Sequence, residues 1–142
     1  MRKSVKIISL AVFIVINICI YISLNLSDIK AIDINKALTF KNTESEVLVA
    51  NFMTDEKQAD EIYTGKVIEI TGTVKEVSFL NNRNTLILQG KDKNSGVICD
   101  MNANQIDAIH KISIGDKITV KGICKGFLKD VVMLNCIIIT NN

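Results

Sequence analysis

Apolar positions along the chain fall into three regimes. From Ile7 to Leu26, twenty consecutive residues carry no charge, and only Ser9, Asn17, Ser23 and Asn25 interrupt the apolar run. A helix rising about 1.5 Å per residue covers roughly 30 Å over that length, the thickness of a bilayer core. The pattern predicts a single membrane-spanning helix. Residues 27–43 are polar and of mixed charge and read as a stalk. Between Glu44 and Ile62, the apolar Val47, Leu48, Phe52, Ala59 and Ile62 recur at near-helical spacing among Glu44, Glu46, Asp55, Glu56, Asp60 and Glu61. That predicts an acidic amphipathic helix, broken near Thr54-Asp55, where an N-cap falls. Its expected role is to pack on the end of the following domain, the alternative being a surface for a partner.

From Tyr63 the period changes to two. The run Lys66–Phe79 is long and β-branched; Ile68, Ile70 and Val74 share one phase, whereas Val77 and Phe79 fall in the other. After Gly72 the strand must therefore shift phase through a bulge or sharp bend. A small barrel needs such a strand, since one long first strand has to serve both halves of the closed sheet. Asn81–Asn84 is a turn by composition, followed by strands at Thr85–Gln89 and Gly96–Met101. Asn102 can cap a short helix over Ala103–Lys111, with Gln105 in capping-box position and Ile106 and Ile109 plugging one barrel end. Gly115-Asp116 turns into a fourth strand, Lys117–Lys125, and a fifth follows at Val131–Thr140. The expected organisation is 1–26 membrane anchor, 27–62 stalk and acidic helix, and 63–142 an all-β domain with short helices. In that domain five strands in β-β-β-α-β-β order close an OB-fold barrel.

Charge adds an orientation. Arg2, Lys3 and Lys6 precede the apolar run, and mixed signs follow it. The positive-inside rule then leaves the N-terminus in the cytoplasm and the C-terminal domain outside. A cleaved signal peptide fits less well because no small-x-small site precedes Lys30; lipid attachment at Cys19 fits less well because Ile16-Asn17-Ile18 precede it. Residues 1–26 carry +3, residues 27–62 carry −4 and residues 63–142 carry +3. A barrel at +3 is mildly basic, short of the footprint of a dedicated phosphate binder.

Several runs carry a resemblance. Tyr63-x-Gly65-Lys66-Val67-Ile68-Glu69-Ile70-Thr71-Gly72-Thr73-Val74, the strand Gly96-Val97-x-Cys99, the run from Gly115 to Gly126, and Asp130-Val131-Val132-x-Leu134-x-Cys136 resemble the bacterial tRNA-anti-like family. The likeness covers about residues 40–140. It implies an OB barrel behind an N-terminal membrane segment, in a family of lipoproteins and membrane-anchored proteins, and supplies no catalytic residues.

Candidate chemistry is sparse. Cys124 and Cys136 flank the last hairpin and share its inward phase, so outside the cytoplasm they are candidates for a disulfide; the alternatives are a bridge involving Cys99 and three buried thiols. Three cysteines and the lone His110 fit no zinc spacing, so no metal is expected. Lys117, Lys121 and Lys125 share the outward phase of the fourth strand. Arg83 sits in the first loop and Lys129 in the last, the two loops that line the usual OB-fold groove. These cations, with Phe127, are the candidate ligand-binding residues; the alternative is a solvated strand face. Aromatic residues are few in the barrel, Tyr63, Phe79 and Phe127, which weighs against stacking of nucleic-acid bases. No Ser/His/Asp order, HExxH motif, phosphate loop or Cys–His pair is present, and nothing in the pattern pairs Glu69 with Asp100. The expected protein is a non-catalytic module without a cofactor. It is anchored through residues 7–26 and binds a protein or envelope-associated ligand in a groove lined by Arg83, the second and third strands and Phe127–Asp130. Nucleic-acid binding and an assembly role through the 44–62 helix are the alternatives.

Overall fold

β-Branched and other apolar residues at every second position from Ile68 to Val74 commit this segment to a half-buried strand, and the rest of the fold closes around it. A computed structural model describes residues 14–18, 20, 33–80 and 83–139. Two units are distinguished, Met1–Ile32 and Asp33–Asn142. In the first, residues 14–18 and 20 are helical, and Ile14, Val15, Ile16, Ile18 and Ile20 are each about half exposed. Among the described residues no helix is long and apolar enough to cross a membrane. Most of the span predicted over Ile7–Leu26, Cys19, residues 27–32, Asn81-Asn82 and Thr140 lie outside the described residues.

The second unit runs β1 (Lys41–Glu44), α1 (Ser45–Thr54), α2 (Glu56–Tyr63), β2 (Val67–Leu80), β3 (Arg83–Gln89) and β4 (Gly96–Met101). A 3₁₀ turn (Ala103–Gln105) follows, then α3 (Ile106–Ile109), β5 (Lys117–Phe127) and β6 (Val131–Ile139). The first half of β2 pairs antiparallel with β5, from Val67↔Ile123 to Thr73↔Lys117, and its second half with β3, from Val74↔Leu88 to Leu80↔Arg83. The phase shift expected after Gly72 is a register shift between Val74 and Glu76. β3 pairs with β4, β4 runs parallel to β6, and β6 returns to β5, so five strands close on themselves.

Ile68, Ile70, Leu86, Leu88, Val97, Val120, Val131 and Met133 point inward and are fully buried. Leu48, Val49 and Phe52 of α1 join them, with Ala59 and Tyr63 of α2, in a single apolar core. Val47, expected on that face, is instead half exposed. The helix break is where the sequence puts it: the Asp55 carboxylate accepts from the Gln58 backbone N–H at 3.0 Å. Near the other end Ile109 is fully buried as expected, but Ile106 is nearly half exposed. Gln105 does not close a capping box; its Oε1 accepts the Ile138 N–H at 3.0 Å and ties the turn to β6.

The stalk reading changes most. From Asp33 onward the chain lies on the barrel as a strap, with Ile34 buried and Phe40 N–H donating to Val67 O at 2.8 Å. Next, β1 adds a sixth strand, parallel to β2 from Lys41↔Ile68 to Glu44↔Thr71. At the end of β1, Ser45 Oγ donates to Gln89 O at 2.6 Å. This brings Ser45 against β2 at Gly72, where an added Cβ would lie 2.8 Å from Ser45 Cβ. Only a glycine accommodates that approach.

Candidate ligand groove

Strands β2, β3, β4 and β6 send alternate side chains outward, and register lines them into rows. Glu76, Ile87, Ile98 and Val132 form one row through successive pairings, and Ser78, Thr85 and Asp100 the next. Together with Leu80, Arg83 and Leu134 they line an open groove of about 470 Å³. That volume lies within the range of about 300–1,000 Å³ usual for ligand sites. Its floor is apolar because Ile87, Ile98, Val132 and Leu134 are half-buried rather than covered. At one end Arg83 Nη2 donates to Asp100 Oδ2 at 2.7 Å and Arg83 Nε approaches Oδ1 at 3.4 Å. The hydrogen bond to Asp100, then its charge, raises the Arg83 pKa above the ordinary value. The groove thus holds one cation against two carboxylates, Asp100 and Glu76, with the cation already paired. On the face of β2 opposite Ser78 and Leu80, the ring of Phe79 stacks on His110, centroids 4.8 Å apart, and remains half exposed.

The six residues expected to bind ligand do not come together. Arg83 lines the groove, at the start of β3 rather than within a loop. Lys117, Lys121 and Lys125 lie on β5, which pairs with β6 and with the half of β2 that β3 does not touch, so they do not enter this groove. Lys117 reaches Glu44 of β1 at 3.7 Å, and Lys125 is exposed. Lys121 corrects the reading of a solvated strand face: its ammonium is covered by the strap, donates to Ala37 O at 2.6 Å and lies 4.0 Å from Glu69. Phe127 is not a groove residue; it stacks on Phe52, centroids 5.8 Å apart, and caps the core. Lys129 is exposed in the connection between β5 and β6. Because Val131 pairs with Val97, next to the β3–β4 turn, that connection sits at the end away from Arg83.

Of the arrangements open to the cysteines, the structure has buried thiols and not the candidate Cys124–Cys136 bridge. Cys99, Cys124 and Cys136 are buried free thiols. The β5–β6 ladder starts at Phe127↔Val131, and the register shift between Cys124 and Gly126 sets Cys124 opposite Met133, while Cys136 lies against Gly122, where an added Cβ would sit 2.5 Å from its sulfur. A hydrogen bond with Cys99, then burial, pushes the Cys136 thiol well above its ordinary value, and burial pushes Cys124 up as well. Among the described residues no group of His, Cys, Asp and Glu is arranged to hold a metal ion.

Asp100 and the apolar row are functional candidates that residue type alone did not single out. Their signal was strand alternation, which puts Ile87 and Ile98 opposite in phase to buried Leu86, Leu88, Val97 and Cys99. A smaller cavity of about 230 Å³ lies between α1, α2 and β1, bordered by Lys41, Asn51, Asp55, Gln58 and Tyr63.

A closed five-stranded barrel with a helix between its third and fourth strands has the architecture of an OB-fold. The chain belongs to the tRNA_anti-like family, which it matches over residues 1–138. Among solved structures it is similar to a provisionally named nucleic acid-binding lipoprotein from Klebsiella pneumoniae subsp. pneumoniae MGH 78578. That likeness has a TM-score of 0.57 and 13% identity, covering 69% of this chain and 91% of that one. Weaker likenesses reach the OBody AM3L09 bound to hen egg-white lysozyme (TM-score 0.43, 11% identity, 56% of this chain and 86% of that one). They also reach a provisionally named aspartyl-tRNA synthetase from Leishmania major Friedlin (TM-score 0.47, 11% identity, 80% of this chain and 23% of that one). No curated protein matches the sequence.

Proposed function

We propose that the protein is a non-catalytic binding module, held at the outer face of a membrane by residues 7–26, whose groove takes an extended, largely apolar segment of a partner protein. The observation that carries the ligand class is the groove's composition. Ile87, Ile98, Val132 and Leu134 form its floor, and Arg83, the lone cation among its described lining residues, is matched by Asp100. A polyanion needs several unpaired cations to displace its counterions, and the lysines expected to supply them lie on β5 or in the β5–β6 connection. Anchoring is supported by the uncharged run Ile7–Leu26, by the basic residues before it, and by exposed apolar side chains at positions 14–16, 18 and 20.

A second reading, binding of single-stranded nucleic acid, draws on the half-exposed ring of Phe79 near the end of β2. The description of the Klebsiella protein as nucleic acid-binding supports it too. The test is a pair of titrations on the full-length protein in lipid nanodiscs: peptides selected by phage display, and a fluorescent single-stranded oligonucleotide, each at low and high salt. Peptide binding that changes little with salt and is lost in Ile98→Asp is the expected result. Arg83→Ala should leave the urea midpoint nearly unchanged, since exposed ion pairs add little stability. No peptide binding, with oligonucleotide affinity falling steeply with salt and abolished by Arg83→Glu, would overturn the first reading in favour of the second.

A further inference from the structure

We infer that the strap formed by residues 33–40 is a membrane-contact surface, with Leu38 and Phe40 entering the lipid interface; this rests on the anchor reading above. A single exposed leucine on a protein surface is ordinary. Here the backbone on both sides is fixed. Lys36 and Ala37 N–H both donate to Asp33 O at 3.0 Å, Lys121 Nζ holds Ala37 O, Thr39 Oγ1 bonds to Glu69 Oε1, and Phe40 N–H holds Val67 O. Between those attachments Leu38 is 93% exposed and Phe40 57% exposed. The strap buries Ile34 and at the same time holds a leucine and a phenylalanine in the open.

The lysines around this patch suit an anionic lipid surface. Lys66 Nζ lies 4.3 Å from the centre of the Phe40 ring, held there by donating to Glu61 O at 2.8 Å and Ile62 O at 2.7 Å. Lys36 is mostly exposed, and Lys125 is exposed on β5, two positions past Ile123, the partner of Val67. Of the nearby acids, Asp33 is within 3.6 Å of Lys36, Glu69 is engaged by Thr39 and Lys121, Asp60 accepts from Thr64 Oγ1 at 2.6 Å, and Glu61 is exposed beside Lys66. Apolar side chains flanked by lysines bind a bilayer interface through burial plus attraction to acidic headgroups. Position favours lipid as the occupant over a second copy or another protein. Seven peptide links separate Leu26 from Asp33, a reach of at most about 25 Å fully extended, so the strap is the part of the folded unit tied nearest to the anchor.

The chain contains no tryptophan, so a single introduced indole reports cleanly. Full-length Leu38→Trp, Phe40→Trp and Ile114→Trp are reconstituted in phosphatidylcholine–phosphatidylglycerol vesicles with and without brominated acyl chains, and vesicle flotation is scored in parallel. Ile114 is exposed, and its neighbour Gly115 donates to Val74 O. Val74 lies seven residues along β2 from Val67, about 23 Å at the rise of a strand, so the Ile114 site is the control. The expected result is blue-shifted emission quenched by brominated lipid at positions 38 and 40, and unquenched emission at 114. Flotation with unquenched, red emission at 38 and 40 leaves the anchor standing and overturns the contact surface. A blue shift without quenching means protein, not lipid, covers the patch, and overturns it too. Loss of flotation overturns the anchor and the contact surface together.

Discussion

The ammonium of Lys121 donates to the carbonyl oxygen of Ala37 at 2.6 Å, joining positions eighty-four residues apart. Through this bond and the neighbouring Glu69 carboxylate, a residue of β5 fastens the segment that enters the folded unit. Lys121→Ala should lower stability by about 1–3 kcal/mol, because the part-buried acceptors lose a charged donor. Urea denaturation measures the loss, and limited proteolysis should show new cleavage within residues 33–40. An unchanged urea midpoint and cleavage pattern would mean the strap is held by Ile34 and β1 alone.

At Gly72 the prediction is one of coupling. A Cβ there would sit 2.2 Å from Ser45 Oγ and 3.3 Å from Leu88 Cβ. Gly72→Ala should cost about 1–3 kcal/mol through overpacking, and Ser45→Gly added to it should give a total loss smaller than the two separate losses added. Additive urea midpoints would show that the clash is relieved elsewhere.

The thiols make stability fall in alkali. Folding raises the Cys124 and Cys136 pKa values, so the stability linked to their protonated forms is fully present below the unfolded-state pKa of about 8.5. It declines as pH rises further, because the unfolded chain releases protons that the folded chain keeps. Urea melts from pH 7 to 10 should show the decline, reduced in Cys136→Ala relative to its own neutral-pH stability. In native protein the three barrel thiols should react with a maleimide only on unfolding, without any prior reduction. A requirement for reduction would show a disulfide in place of the free thiols.

Orientation is open to direct labelling at Leu128, which is almost fully exposed in the β5–β6 connection. In intact cells, Leu128→Cys should react with a membrane-impermeant maleimide, as an outward-facing domain requires. Reaction only after the cells are opened would put the barrel in the cytoplasm and raise nucleic-acid binding to the leading reading.

Local physics made much of the fold legible. Period-two alternation marked the strands, the phase change between Val74 and Val77 located the bulge that lets β2 serve two neighbours, and Asp55 marked the helix break. These signals are carried by residues close in sequence, so the chain alone contains them. The Ile7–Leu26 run likewise states its length and charge without help from the rest of the chain.

What only the tertiary structure decided depends on register and closure. Arg83 meets Asp100 because β3 and β4 pair as they do; the register of the β5–β6 ladder, which starts at Phe127↔Val131, sets Cys124 opposite Met133 and away from Cys136. Lys121 reads as a solvated lysine until residues 33–40 are laid over it. Strand alternation fixes which side of a sheet a residue occupies but not which neighbour covers that side. The covering segment here comes from far along the chain, and its position follows from long-range packing.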